Sequence, residues 1–146
     1  MIRILDPIKG EVSNPTLLEN GQFRVVRQTS ITSEVEWCVA YADFTNNQLK
    51  ASVFDLSLPE PHNEMVATTV YAVNPSVAKY RGNYRIAYGD ENRLKFASRD
   101  RTGIWMVEVI DPEGGGLPWL VYDEIPGNAH IAYTVGKTLK YAKGTE

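Results

Sequence analysis

Short runs rich in Val, Ile, Tyr and Thr recur along the whole chain, broken by Gly, Pro, Asn and Asp. Runs of this kind read as β-strands bounded by turns. Strands are predicted over residues 2–5, 23–28, 36–42, 48–54, 66–73, 77–79, 84–88, 94–98, 105–110, 119–122, 129–133 and 139–142. Several carry apolar residues at consecutive positions instead of in strict alternation, which suits strands covered on both faces. Helical spacing is nearly missing. No long window repeats its apolar residues once per helical turn behind a capping box, and only Pro59-Glu60-Pro61-His62-Asn63-Glu64 could open a short turn. The predicted fold class is all-β.

The pattern also repeats. Gly127-Asn128-Ala129-His130-Ile131-Ala132-Tyr133 is followed, six residues after its Tyr, by Leu139-Lys140-Tyr141-Ala142. Gly82-Asn83-Tyr84-Arg85-Ile86-Ala87-Tyr88 is followed, again after six, by Leu94-Lys95-Phe96-Ala97. A looser copy is Val39-Ala40-Tyr41, with Leu49-Lys50-Ala51 eight residues after its Tyr. Ala40, Ala87 and Ala132 stand 47 and 45 residues apart. A period of this size in a strand-rich chain is the mark of a β-propeller blade.

A second signature is shared by Ile4-Leu5-Asp6-Pro7, Ala72-Val73-Asn74-Pro75 and Val109-Ile110-Asp111-Pro112. Pro cannot donate to a ladder, and Asp or Asn before it favours a turn. Each signature is predicted to end a fourth, outer strand and to pass the chain to the next blade. Within one domain this gives blade one over 23–74, blade two over 75–112 and blade three over 118–146. Residues 1–7 form an outer strand with no blade of its own. In blade one, 23–28 is the inner strand and 66–73 the outer one, and the hairpin between Phe54 and Val66 is an insertion. A rival register aligns Pro15-Thr16-Leu17-Leu18 with Pro75-Ser76-Val77-Ala78, but leaves one strand too many before Asn74.

Over residues 104–142 the order is Trp-x-x-Glu-x-Ile-Asp, a Gly-rich turn, Leu-Pro-x-Leu-x-x-Asp, Gly-Asn-x-His-Ile-Ala-Tyr, then Leu-Lys-Tyr-Ala. This order resembles the repeat of sialidase-like bacterial β-propellers, well over blades two and three and loosely over blade one. The resemblance implies the fold and not the activity. No Asp box of the Ser-x-Asp-x-Gly-x-x-Trp kind is present, and the arginines at 3, 24, 27, 81, 85, 93, 99 and 101 fall in no triad.

Propellers carry about four to eight blades, so three would leave open flanks. The prediction is a homodimer forming one six-bladed ring, in which strand 1–7 of each chain completes blade three of the other. Small repeat chains that assemble a propeller by association are known among lectins, and by that resemblance carbohydrate binding becomes a candidate function.

Composition narrows the partners. The chain has 146 residues with a net charge of −3, which gives no electrostatic reason to expect nucleic acid or an anionic membrane. No segment reaches transmembrane length and the N-terminus lacks a signal-peptide core, so the expected location is the cytoplasm. Cys38, the only cysteine, sits in the apolar run Trp37-Cys38-Val39-Ala40 and reads as a buried, unreactive small hydrophobe.

Candidate chemistry lies in the turns. In a propeller, the turns from strand two to three and from strand four to the next blade share one face. Here they hold Asp43, Asp90, Glu91, Asn92, Asp6, Asn74, Asp111 and Glu113. A ring of carboxylates could bind sugar hydroxyls or a Ca²⁺ ion; Asp and Asn are equally common as plain turn formers. Trp119, after Glu113-Gly114-Gly115-Gly116-Leu117-Pro118, either stacks on a sugar or fills space between blades. That glycine run is no phosphate loop, since no Lys-Ser/Thr pair and no helix follow it. His130 reads as a core histidine with one hydrogen bond, and Tyr41, Tyr88 and Tyr133, which recur at one position, as packing residues. The function read from these features is a non-catalytic binding module with a pore-mouth site at Asp43, Asp90, Asn92, Asp111 and Trp119. It has no catalytic residue, no metal ligand and no required cofactor, Ca²⁺ being the one ion considered. The rivals are a glycosidase with paired carboxylates and a purely structural protein.

Overall fold

The computed structural model describes residues 36–55, 60–100 and 102–145. These form ten strands in three antiparallel sheets, with no helix among the described residues. The first sheet holds β1 (Glu36–Asp43), β2 (Gln48–Asp55) and β3 (His62–Thr68) in sequence order. The second holds β4 (Ala72–Tyr80), β5 (Asn83–Asp90), β6 (Arg93–Arg99) and β7 (Trp105–Asp111). The third holds β8 (Gly116–Tyr122), β9 (Ala129–Val135) and β10 (Thr138–Gly144). The predicted strands 2–5 and 23–28 lie outside the described residues.

Turn chemistry sets the hairpins. Arg81 and Gly82 both take positive φ, at 48° and 79°, and join β4 to β5 in two residues. Glu91 and Asn92, at 51° and 61°, do the same between β5 and β6. Paired positive φ values give the mirror-image turns whose twist matches that of flanking strands. Register then places Tyr88 opposite Lys95, Tyr133 opposite Lys140 and Tyr41 opposite Lys50. The first hairpin has a longer connection, Phe44-Thr45-Asn46-Asn47, which is why its Tyr-to-Leu spacing is longer in sequence.

Two details of the sequence reading are corrected. The outer strand of the first sheet is β3, not 66–73, and it pairs directly with β2 from Gln48↔Thr68 to Val53↔His62. The segment between Phe54 and Val66 therefore supplies this strand instead of an inserted hairpin. Asn74-Pro75 does not end a strand. It lies inside β4 as an irregularity between Val73 and Ser76, with Asn74 at φ 48°. Leu117-Pro118 does the same in β8, between Gly116 and Trp119, with Leu117 at φ 46°. Pro has no N–H to lose where the ladder skips, so it is tolerated at a bulge as well as at a strand end. Asp111-Pro112 does end β7, as predicted.

The three sheets stack in order. One apolar cluster lies between the first and second sheets and includes Cys38, Ala40, Leu49, Ile86 and Tyr88. Another lies between the second and third and includes Ala87, Leu94, Phe96, Ile131 and Tyr133. Strand β5 serves both, with every residue from Tyr84 to Asp90 buried, the consecutive apolar residues Ile86, Ala87 and Tyr88 among them. Polar links cross the same interfaces. The indole N–H of Trp105 donates to Glu64 at 2.8 Å, and Arg99 pairs with Glu64 at 2.7 Å. The backbone N–H of Leu120 donates to the Ser76 hydroxyl at 3.0 Å. Cys38 is buried, as expected.

Candidate functional site

The repeated lysines explain the aspartates. Lys50 pairs with Asp43 at 2.9 Å, Lys95 with Asp90 at 2.5 Å and Lys140 with Asp111 at 3.0 Å. In the first two sheets the aspartate stands two residues after the repeated Tyr, so it shares that residue's side of the strand and lies diagonal to the Lys, which is opposite the Tyr. In the third sheet the equivalent position is Val135, and the carboxylate arrives from the end of β7 instead. There Asp111 also accepts from the Tyr133 hydroxyl at 2.7 Å and from the N–H of Glu113 at 2.8 Å.

These contacts set the ionisation of the group. Burial alone would raise the Asp43 carboxyl, but hydrogen bonds from Asn46 and Lys50 outweigh it and hold it at about 2. Burial opposes ionisation of Asp90 too, and the Lys95 ammonium and the Tyr71 N–H bring it below the usual carboxylate range. The Glu113 N–H, then Tyr133 and Lys140, keep Asp111 at about 2. The Tyr133 hydroxyl is pushed up to about 12 by burial and by the Asp111 carboxylate it bonds. All three aspartates are charged, partnered and turned inward at neutral pH.

A cleft of about 640 Å³ opens beside them, where the β5–β6, β7–β8 and β9–β10 connections meet. Its walls include Glu91 and Asn92, Glu113 and the three glycines 114–116, Thr134 and Gly136, with Tyr71 at one side. Tyr71 is itself stacked on Phe44 at 5.4 Å between ring centres. The glycine run has a steric cause. A Cβ on Gly114 would meet the Val135 side chain at 2.2 Å. One on Gly115 would meet the backbone carbonyl of Arg93 at 2.5 Å, and one on Gly116 the Thr134 hydroxyl at 2.6 Å. The loop passes between two hairpins with no room for side chains, so its own backbone lines the cleft.

Of the five predicted site residues, Asn92 lines this cleft. Asp90 and Asp111 lie just behind its rim, next in sequence to Glu91 and two before Glu113, and are held by their lysines. Asp43 belongs to the β1–β2 turn, where its carboxylate accepts from the N–H groups of Thr45 and Asn46. Trp119 projects from the outward face of the third sheet and is half exposed, away from the cleft lining. Tyr71, Thr134 and the glycine backbone carry no mark in the sequence that points to the cleft, and Glu91 and Glu113 stand there only among the polar turns.

His130 departs from the expectation of one hydrogen bond. Its Nε2 lies 3.0 Å from Asp123 and its Nδ1 2.5 Å from the Tyr141 hydroxyl. Its side chain is partly exposed on the outward face of the third sheet. Hydrogen bonds from His130, then from Asn128, hold the Asp123 carboxyl at about 2. Tyr41, Tyr88 and Tyr133 are all buried, in keeping with a packing role. Among the described residues no group of three or more His, Cys, Asp or Glu is placed to hold a metal ion. No protein-family model, curated protein or solved structure matches the chain.

Proposed function

We propose that the chain is a non-catalytic binding module, built of propeller-type blades, whose cleft takes a small polar ligand such as a sugar. The observation that carries this reading is the cleft itself: concave, glycine-walled, and rimmed by Asn92, Thr134 and two glutamates. Exposed main-chain groups with a few convergent side chains suit a hydroxyl-rich ligand, and concave sites of this size hold small molecules. The ion-paired aspartates serve as the frame of the site, not as its reagents. A glycan array and calorimetry with free saccharides test the reading. Binding weakened several-fold or more by Asn92→Ala and by Thr134→Val is the expected result. Binding untouched by both substitutions overturns it.

The presence of Glu91 and Glu113 in the same cleft favours one rival, a glycosidase with two carboxylates. Glu91 is ion-paired with Arg93, and Glu113 lies 3.9 Å from the Lys140 ammonium. Turnover of aryl glycosides that is abolished by Glu91→Gln or by Glu113→Gln would replace the binding reading with that one.

A further inference from the structure

The outward face of the third sheet is an interface awaiting a second copy of this chain: so we infer from comparing each repeat position across the three sheets. In the first sheet, Ala40, Leu49 and Ala51 point toward the second sheet and are fully buried. In the second sheet the same positions are Ala87, Leu94 and Phe96, buried against the third. In the third sheet they are Ala132, Leu139 and Tyr141, and nothing among the described residues covers them. Leu94 is 0% exposed and its counterpart Leu139 is 74% exposed; Phe96 is 7% exposed and Tyr141 is 61%.

Register gathers more apolar surface on that face. Trp119, Ala132 and Tyr141 are direct neighbours across β8, β9 and β10, and Val121 lies two residues along from Trp119. Thr134, His130 and Lys143 complete the same face with polar groups. An aromatic and aliphatic centre with a polar border has the anatomy of a protein interface. Trp and Tyr are the residue types that most often carry binding energy there.

The chain itself indicates the occupant. Twice within one molecule this repeat face receives another sheet of the same repeat, so its shape and chemistry are those that accept such a sheet. The edge adds to this. Strand β6 is flanked by β7, whereas the equivalent β10 has no neighbour on its outer side among the described residues. A long unpaired edge beside an apolar face is a template for another chain. The inference does not rest on the cleft's ligand, although Thr134 borders both the face and the cleft.

Light scattering on the full chain at micromolar concentration tests it. The expected result is a particle of twice the 16.4 kDa chain mass. Trp119→Glu and Leu139→Glu should each convert it to monomer, while Val107→Glu, a like change on exposed β7, should not. Backbone hydrogen exchange provides a second readout: amides of β10 should slow at least several-fold as protein concentration rises. A wild-type monomer, or a dimer unaffected by both face substitutions, overturns the proposal, as does β10 exchange independent of concentration.

Discussion

Asp90 and Lys95 show how a repeated residue pair becomes a structural necessity. Asp90 is 2% exposed, and it also accepts the Tyr71 N–H at 2.8 Å. Removing one partner of an enclosed ion pair leaves a charge without compensation and costs roughly 3 kcal/mol, whereas removing both is far cheaper. Lys95→Met is expected to lower stability to urea by about that amount. Adding Asp90→Asn should recover part of the loss, read as a positive coupling in a double-mutant cycle. Strict additivity of the two substitutions would show that the pair contributes nothing jointly.

The same carboxylates set the acid limit. Asp43, Asp111 and Asp123 are each held at about 2 in the folded chain, against about 3.9 when unfolded. Between those values the unfolded chain binds more protons, so the stability they contribute is present above about pH 4. It is lost as pH falls toward 2. Tyr133 acts with the opposite sign. Its folded value of about 12 lies above the ordinary value, which is about 10. Its contribution is present below about pH 10 and is lost on going toward 12. Urea midpoints measured across pH should be level near neutrality and fall at both ends. In Asp111→Asn both slopes should become shallower, because one substitution removes the carboxylate and the partner of Tyr133.

At the scale of elements, steric room separates glycines that look alike in sequence. Gly82 needs only its positive φ of 79°, and an added Cβ there meets nothing within 4 Å. Asn tolerates that backbone region better than other residues do, so Gly82→Asn is expected to cost less than about 1 kcal/mol. Gly115→Ala drives a Cβ into the backbone of Arg93 and Leu94, which cannot swing away. Overpacking of this kind costs about 1–3 kcal/mol, and it should also narrow the cleft. Thermal melting of the two variants compares them directly; equal shifts would contradict the assignment.

Much of this level was legible beforehand. The Tyr-to-Leu-Lys spacing encodes hairpins because Tyr and Lys are cross-strand partners, and the consecutive apolar residues Ile86, Ala87 and Tyr88 of β5 encode burial on both faces. The bulges were not legible. Asn74-Pro75 and Leu117-Pro118 both sit inside strands, but a Pro signals only a missing donor, not whether the strand resumes. A further irregularity recurs at one place in two sheets, after Leu49 and after Leu94, with no residue type to mark it. The cleft was half legible. Of the polar turns expected on one face, those holding Glu91, Asn92 and Glu113 border the cleft, but the aspartates stand out in the sequence and the lysines that occupy them do not. Partners in a different hairpin strand, or a different sheet as for Asp111 and Lys140, leave no local trace. Trp119 lies outside the cleft lining for a related reason: its place on the outward face depends on the bulge at Leu117-Pro118, which sets which side of β8 it occupies.

For the whole molecule, the question is whether the stacked sheets unfold together. Strand β5 lends Tyr84, Ile86 and Tyr88 to one core and Ala87 to the other, so neither core can open without loosening the strand that closes its neighbour. The Ser76–Leu120 and Trp105–Glu64 hydrogen bonds tie the same interfaces. Cys38 is a built-in reporter, because it is a single thiol buried at 2% exposure in the first core. Ile131 is 3% exposed and belongs to the second core. Truncating a buried Ile to Ala costs about 2–5 kcal/mol. If opening is cooperative, Ile131→Ala raises the rate of Cys38 labelling by the factor by which it lowers global stability. At about 3 kcal/mol that is on the order of 100-fold, provided closing outpaces labelling. Protein concentration must be held constant between variants, since association would add its own stability. Labelling of Cys38 that ignores Ile131→Ala, while circular dichroism shows the expected loss of global stability, would mean that the first two sheets stand without the third.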